Sequence, residues 1–230
     1  MLAITEQYQV KLQVGFNRRF DPNFKRIQAQ VASGNIGEPH ILKITSRDPG
    51  PPPVEYLKTS GGLFMDMTIH DFDMARFIVG SEVESVFAKG AVRVDKTIGE
   101  VGDIDTATIV LQFENGCLGL IDNSRKAAYG YDQRAEIFGS KGMSRINNNT
   151  IDNHMLYDEK GIHASVPLHF FMERYTESYC EEIRAFVKAI KENKPVLVGG
   201  KDALMATKIA MAANLSIQEN RPLFLEEIKN

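Results

Sequence analysis

Residues 105–124, DTATIVLQFENGCLGLIDNS, contain two runs of alternating apolar and polar residues with Asn115-Gly116 between them. Alternation with a period of two is typical of strands that bury one face. Asn-Gly between two such runs is the strongest short signal for an antiparallel hairpin. Similar runs occur at 83–94, 133–138 and 142–147. This part of the chain therefore predicts an antiparallel sheet with one covered face and one available face.

The flanking segments predict helices and two further strands. Strands are expected at 10–16 and 40–47, and a stiff, extended proline loop at 48–60. Asp21-Pro22 predicts the start of a helix that ends at Ser33-Gly34. Three more helices are expected, from Gly61-Gly62 to about residue 79, from 170 to 191 with an apolar stripe, and from 201 to 219. Runs of strands followed by helices indicate an α+β fold, an open sheet with helices on one face.

The composition excludes several classes of function. The 230 residues have a net charge of −3, which gives no electrostatic footprint for nucleic acid. We find no apolar run of membrane-spanning length and no signal peptide at the start of the sequence. Two cysteines, Cys117 and Cys180, are too few for a disulfide framework, so we expect buried thiols and a reducing cytoplasm.

The segment SGGLFMDMTIHDFD, residues 60–73, is the leading candidate for a catalytic site. On an α-helix Asp66 and His70 would stand one turn apart on one face, with Asp73 near the same stripe. A carboxylate beside an imidazole can handle protons near neutral pH. The alternative is a helix with polar residues at its exposed edge. A metal site is disfavoured because no third ligand lies nearby in the sequence.

Two other polar groups are candidates for ligand contacts. Arg18 and Arg19 follow the predicted strand at 10–16 and could clamp hydroxyls or an anion. The alternative is a surface pair that uses Asp21 as its ion partner. Tyr129 and Tyr131 flank Gly130 and offer phenols to polyol hydroxyls, although edge aromatics of a sheet are commoner. Neither glycine pair, 61–62 or 199–200, fits a dinucleotide or phosphate loop.

Several segments stand in an order that carries a resemblance. They are VGFNRRFD at 14–21, IGEP at 36–39, the Gly61-Gly62…Asp66…His70-Asp71…Asp73 motif, YGYD at 129–132, EIFGSKG at 136–142, and Tyr175, Tyr179, Glu182 and Phe186 on the late helix. In this order they resemble the Gfo/Idh/MocA oxidoreductases, and among them the inositol 2-dehydrogenases. The resemblance covers nearly the whole chain.

The resemblance implies the open, largely antiparallel mixed sheet of the C-terminal domain of glucose-fructose oxidoreductase-like proteins. It implies an NAD- or NADP-dependent oxidation of a secondary alcohol in a polyol or sugar, in a homodimer or homotetramer formed through the open sheet face. His70 would be the general base and Asp66 would orient it and the substrate hydroxyl. The substrate residues implied are Arg18, Arg19, Asp48, Asp73, Tyr129 and Tyr131.

The sequence departs from the family in its first residues. Family members begin with a strand and a Gly-rich dinucleotide loop, followed later by a Glu-Lys-Pro motif whose lysine helps catalysis, and none of the three occurs here. We therefore expect residues 1–20 to be a remnant of the end of a Rossmann domain and residues 21–230 to be a substrate-binding and oligomerisation domain. The chain alone is not expected to bind NAD tightly or to turn over. A non-catalytic polyol-binding or assembly module and an inactive remnant stay open as alternatives.

Overall fold

A seven-stranded sheet with helices on one face forms the body of the protein. The structure, a computed structural model, describes residues 2–229. The helices are α1 (Leu2–Gln7), α2 (Pro22–Ala32), α3 (Val54–Ser60), α4 (Ile69–Val79), α5 (Lys96–Glu100), α6 (Phe171–Lys191) and α7 (Gly200–Glu219). The strands are β1 (Pro39–Arg47), β2 (Val83–Ala91), β3 (Thr106–Phe113), β4 (Leu118–Ser124), β5 (Asp132–Gly139), β6 (Gly142–Ile146), β7 (Met155–Asp158), β8 (Gly161–Ala164) and β9 (Leu223–Phe224).

The sheet has the order β6-β5-β1-β4-β3-β2-β9, and β1 with β4 is its parallel pair. The other neighbours are antiparallel, so the predicted α+β class with an open, largely antiparallel mixed sheet is confirmed. The predicted hairpin joins β3 to β4. Gly116 has φ 85°, and its N–H donates to the Phe113 carbonyl at 2.9 Å. A left-handed residue at this position suits glycine.

Helices α2, α4 and α7 pack against one face of the sheet. Helix α2 begins as predicted, because the Asp21 side chain accepts hydrogen bonds from the Asn23 and Phe24 N–H groups. Phe24 and Ile27 then enter the core. The core itself uses the alternate positions of the strands, such as Ile109 and Leu111 of β3. The inward-facing apolar residues of the strands and of the helices therefore pack together in one layer.

Residues 10–16 do not form the predicted strand. A strand needs a neighbour to complete its hydrogen bonds, and among the described residues the Val14 N–H finds one isolated acceptor, the Val198 carbonyl at 3.0 Å. The loop expectation for 48–60 is also partly wrong. The chain is extended only as far as Pro53, whose ψ of 145° precedes the first residue of α3. A proline supplies no N–H, so a helix can begin directly after it.

Three smaller expectations are corrected. The apolar stripe of α6 is buried only at its start, since Tyr175 is 1% exposed while Ile183 is 66% exposed. Cys117 is buried as expected, whereas Cys180 is exposed on α6. The sequence did not predict the hairpin of β7 and β8, whose strand residues are all exposed. None of the described helices is both long and apolar enough to cross a membrane.

The sheet face opposite the helices carries a row of apolar side chains. Met143 pairs with Phe138, Phe138 with Ile41, and Ile41 with Leu118, so the row crosses four neighbouring strands. Each of the four side chains is at least 41% exposed. Exposed apolar residues are ordinary when scattered singly, but a contiguous row is typical of an interaction surface.

Candidate active site

A cleft of about 730 Å³ opens where the parallel pair β1 and β4 ends. Its wall consists of the proline loop, α3, the start of α4, the segment after β4 and the start of α6. The lining residues are Asn17, Arg18, Asp48, Gly50, Pro51, Pro52, Pro53, Tyr56, Asp66, Met67, His70, Arg125, Tyr131, Phe170, Phe171, Tyr175 and Tyr179. Apolar walls with a few convergent polar groups are typical of small-molecule sites.

Two charged residues of the cleft follow the carboxyl ends of the parallel strands. Asp48 comes directly after β1, and Arg125 comes directly after β4. The Asp48 N–H donates to the Ser124 carbonyl at 2.9 Å, so the ladder continues to this point and holds the two residues side by side. Ligands of open α/β sheets commonly bind outside such strand ends.

Residues Phe64–Thr68 form a π-helical turn immediately before α4. Gly61 and Gly62 have φ values of 88° and 84°, which other residues rarely adopt. They allow the Leu63 N–H to donate to Asp103 Oδ1 at 3.0 Å at the beginning of the turn. A π-turn closes bonds between residues i and i+5, so its side chains do not follow the α-helical positions on which the spacing argument depends.

Asp66 consequently has partners other than His70. Its Oδ1 accepts from the Tyr56 hydroxyl at 2.5 Å, and its Oδ2 accepts from Arg125 Nη1 at 2.9 Å. Asp66 and His70 both line the cleft, but no hydrogen bond joins them in the described residues. The expectation that Asp66 directly orients the His70 ring is therefore not met by this geometry.

His70 lines the cleft and packs edge-on against Phe16, at 5.7 Å between ring centroids. Its Nδ1 is buried without a hydrogen-bond partner. Burial, together with the nearby positive charge of Arg18, lowers the pKa of His70 to about 3. The imidazole is consequently neutral at pH 7, which is the form that can accept a proton.

Arg18 is buried and forms an ion pair with Asp71. The second oxygen of Asp71 accepts from Asn123 Nδ2 at 2.9 Å. Arg18 also lies 5.9 Å from the centre of the Tyr175 ring. Its guanidinium therefore reaches the cleft wall, but its strongest partner is the carboxylate in the protein interior.

Asp48 and Tyr131 complete the predicted residues inside the cleft. Burial raises the pKa of Asp48 to about 7, against the opposing effect of Arg125 and Arg18. Tyr131 packs edge-on against Phe170 and Tyr175, at 5.4 and 6.0 Å between ring centres. Strongly perturbed groups in a cleft are typical of functional sites.

Three predicted site residues lie outside the cleft because they are engaged elsewhere. Arg19 forms a two-pronged pair with Asp73, at 2.8 and 2.6 Å, and also contacts Asp202. The Tyr129 hydroxyl donates to Asp132 at 2.6 Å near the open face of the sheet. We remove Arg19, Asp73 and Tyr129 from the candidate site.

Sequence reasoning missed Tyr56, Asp71, Arg125 and Tyr175 as site residues. Tyr175 and Asp71 stood within recognised motifs, and Tyr56 followed the proline loop. Arg125 follows a predicted strand end, which is a usable signal. That signal becomes specific only when β4 is known to run parallel to β1.

Neither glycine pair of the described residues fits a dinucleotide loop. Both glycine pairs that precede helices are closed by carboxylates: Asp103 accepts from the Leu63 N–H, and Asp202 Oδ2 accepts from the Gly199 N–H at 2.9 Å. A pyrophosphate needs free N–H groups and no negative charge at such a helix start. Across residues 2–229, no three His, Cys, Asp or Glu side chains are arranged to share a metal ion.

Fold and site together define an open-faced α+β domain whose cleft has apolar walls and a few convergent polar groups, and whose described residues contain no nucleotide loop. Residues 24–145 match the model of the GFO/IDH/MocA C-terminal domain. The chain is 54% identical to the myo-inositol 2-dehydrogenase of Thermotoga maritima over 228 residues, which are 99% of this chain and 68% of that protein. It thus belongs to the Gfo/Idh/MocA family and spans about two thirds of that relative's length.

Solved structures agree with this assignment. The crystal structure of a probable dehydrogenase from Thermotoga maritima superposes with a TM-score of 0.96 at 54% identity, over 98% of this chain and 68% of that one. The scyllo-inositol dehydrogenase from Lactobacillus casei with bound NAD(H) and scyllo-inositol superposes with a TM-score of 0.88 at 31% identity, over 98% and 68%.

Proposed function

We propose that this chain is the substrate-binding part of an NAD(P)-dependent polyol dehydrogenase, with inositol 2-dehydrogenase as the activity. The observation that carries the proposal is the meeting of Asp48, Asp66, His70 and Tyr131 in one cleft. These polar groups come from three separate segments of the chain. Carboxylates, a phenol and a neutral imidazole together offer acceptors and donors to a ring of hydroxyls.

In this proposal His70 accepts the proton of the hydroxyl that is oxidised, since its imidazole is neutral and lies in the cleft. Asp66 accepts a hydrogen bond from a substrate hydroxyl. The nicotinamide cofactor supplies the hydride chemistry. Because both glycine pairs of this chain are closed by carboxylates, we propose that residues outside this chain bind the cofactor, with residues 1–20 as the adjoining end of that domain and residues 21–230 as the substrate domain. We also propose a cytoplasmic location.

The proposal predicts direct binding of a polyol to this chain. Titration with myo-inositol, followed by calorimetry or NMR, should give saturable binding that Tyr131→Phe weakens about two- to tenfold, the value of one neutral hydrogen bond. Tyr129→Phe removes the same atom outside the cleft and should leave the affinity unchanged. NAD titrated alone should give no saturable signal. Equal effects of the two tyrosine changes, or no polyol binding by wild type, would contradict the proposal.

We propose further that the open sheet face joins two copies of this chain. The row Met143, Phe138, Ile41 and Leu118 is apolar, exposed and in register, and identical rows can pack about a two-fold axis. Light scattering should give a mass of at least two 25.7 kDa chains. Leu118→Glu should reduce that mass, whereas Ile183→Glu on α6 should not. A wild-type mass of one chain would refute this interface.

A further inference from the structure

Arg125 is a buried guanidinium in the cleft wall that no part of the proposed reaction uses. Its side chain is 1% exposed, although arginine is seldom fully buried. Its backbone N–H donates to the Asp105 carbonyl at 2.8 Å, which fixes the residue at the end of β4. Three carboxylates surround it: Asp66, Asp103 and Asp48.

Among these carboxylates, Asp66 receives the hydrogen bond. Arg125 Nη1 donates to Asp66 Oδ2 at 2.9 Å. The Nη2 atom lies 3.7 Å from Asp103 Oδ2, beyond hydrogen-bond distance, and Nε has no partner within residues 2–229. The direct side-chain hydrogen bond of this guanidinium is therefore made to a carboxylate that lines the cleft. An arginine with a purely scaffolding role would be expected to satisfy more of its donors.

The two oxygens of Asp66 have unequal partners. Oδ2 is bonded to Arg125, which is inside the protein, whereas Oδ1 is bonded to the hydroxyl of Tyr56, whose side chain belongs to a residue that is 50% exposed. The arginine contact fixes the carboxylate plane. The tyrosine contact is made by a residue that lines the cleft, so a substrate hydroxyl can share or replace it.

We propose that Arg125 is a positioning residue, which holds the Asp66 carboxylate turned toward the polyol. The inference rests on the proposed function, because it requires Asp66 to meet a substrate hydroxyl. Removing Arg125 leaves Oδ2 of Asp66 without its donor, so the carboxylate can rotate away from the cleft.

The test compares Arg125→Gln with Arg125→Lys in the full chain. The orientation of the Asp66 carboxylate in crystals of the ligand-free protein is the readout that needs no polyol. We expect Asp66 to leave its wild-type rotamer in Arg125→Gln and to keep it in Arg125→Lys. Affinity for myo-inositol should fall about tenfold or more in Arg125→Gln, as expected for a lost charged hydrogen bond, and recover partly in Arg125→Lys.

Arg76→Gln is the matched control. Arg76 is similarly buried and contacts two carboxylates, Glu82 and Asp202, outside the cleft. Its replacement should lower stability but leave the orientation of Asp66 and the affinity unchanged. An Asp66 carboxylate that keeps its wild-type rotamer in Arg125→Gln would overturn the inference. If that variant does not fold, Arg125→Lys decides: a fall in polyol affinity below wild type supports positioning, and wild-type affinity overturns it. Absence of polyol binding by wild type would count against the proposed function, while the ligand-free orientation of Asp66 still decides the role of Arg125.

Discussion

Replacing Arg18 with methionine is expected to lower the free energy of unfolding by about 3–5 kcal/mol. The change leaves Asp71, whose side chain is 0% exposed, as a charge in the protein interior. Asn123 would still donate to it at 2.9 Å, but a neutral amide does not replace a counter-charge. The chain contains no tryptophan, so urea unfolding at pH 7 is best followed by circular dichroism.

Two variants show whether the cost arises from the uncompensated charge. Arg18→Met combined with Asp71→Asn removes both charges and should recover most of the loss, because neutral replacements of a buried pair are often well tolerated. Arg47→Met breaks the half-exposed pair with Asp122, whose side chains are 34% and 32% exposed, and should cost about 1 kcal/mol or less. If Arg18→Met and Arg47→Met lowered the free energy of unfolding equally, the buried Arg18–Asp71 pair would contribute no more than the half-exposed pair.

The contribution of Asp48 to the stability of the wild-type protein should fall as the pH rises from about 4 to 7. Burial raises the pKa of this carboxyl from 3.8 to about 7, so the folded state holds a proton that the unfolded chain releases earlier. Its contribution is fully present below about pH 4 and is lost as the pH rises toward 7. The loss is at most about 4 kcal/mol, and less to the extent that solvent screens the half-buried group.

Asp48→Asn should therefore gain stability relative to wild type as the pH rises from 4 to 7. The groups that face Asp48 are Arg125, Arg18, Asp71 and Asp66, and the variant leaves all four in place. Urea unfolding of both proteins at several pH values measures the difference. A difference that does not change with pH would show that Asp48 titrates normally in the folded state.

His70 should act in the opposite direction. Its pKa falls from 6.5 to about 3 on folding, chiefly because the ring is buried and also because Arg18 is near. Its contribution to stability is present above pH 6.5 and is lost as the pH falls toward 3. The Asp48 and His70 contributions to stability consequently oppose each other between about pH 4 and 6.5. Urea unfolding of Asp48→Asn and of His70→Asn, each compared with wild type at several pH values, separates them.

Local patterns predicted most of the sheet and the main helices. The Asp21-Pro22 start of α2 and the Asn115-Gly116 turn depend on residues close in sequence, and both were predicted correctly. The strand expected at 10–16 shows the limit. Its alternation is genuine, but a strand also needs a hydrogen-bonding neighbour, which residues 2–229 do not provide there.

The Asp66–His70 pair shows a second limit. The spacing of four predicted bonded side chains on an α-helix, whereas the structure has a π-turn at Phe64–Thr68 and gives Asp66 other partners, Tyr56 and Arg125. The turn follows two glycines and is anchored by Asp103, which is 40 residues from Leu63 in the sequence. Such an anchor cannot be read from the spacing of the motif itself.

The sequence by itself determined the class of fold, the polar residues available for chemistry, and the resemblance that relates them to a family. Only the tertiary structure decided which of those residues meet. Arg18 and Arg19 are neighbours in the chain. Arg18 lines the cleft and pairs with the buried Asp71, whereas Arg19 lies outside the cleft and pairs with Asp73. Arg125 finds Asp66 across 59 residues. Secondary structure follows from short-range periodicity, whereas the partners of a buried charge depend on where distant segments cross, because each such charge requires a counter-charge wherever the chain places it.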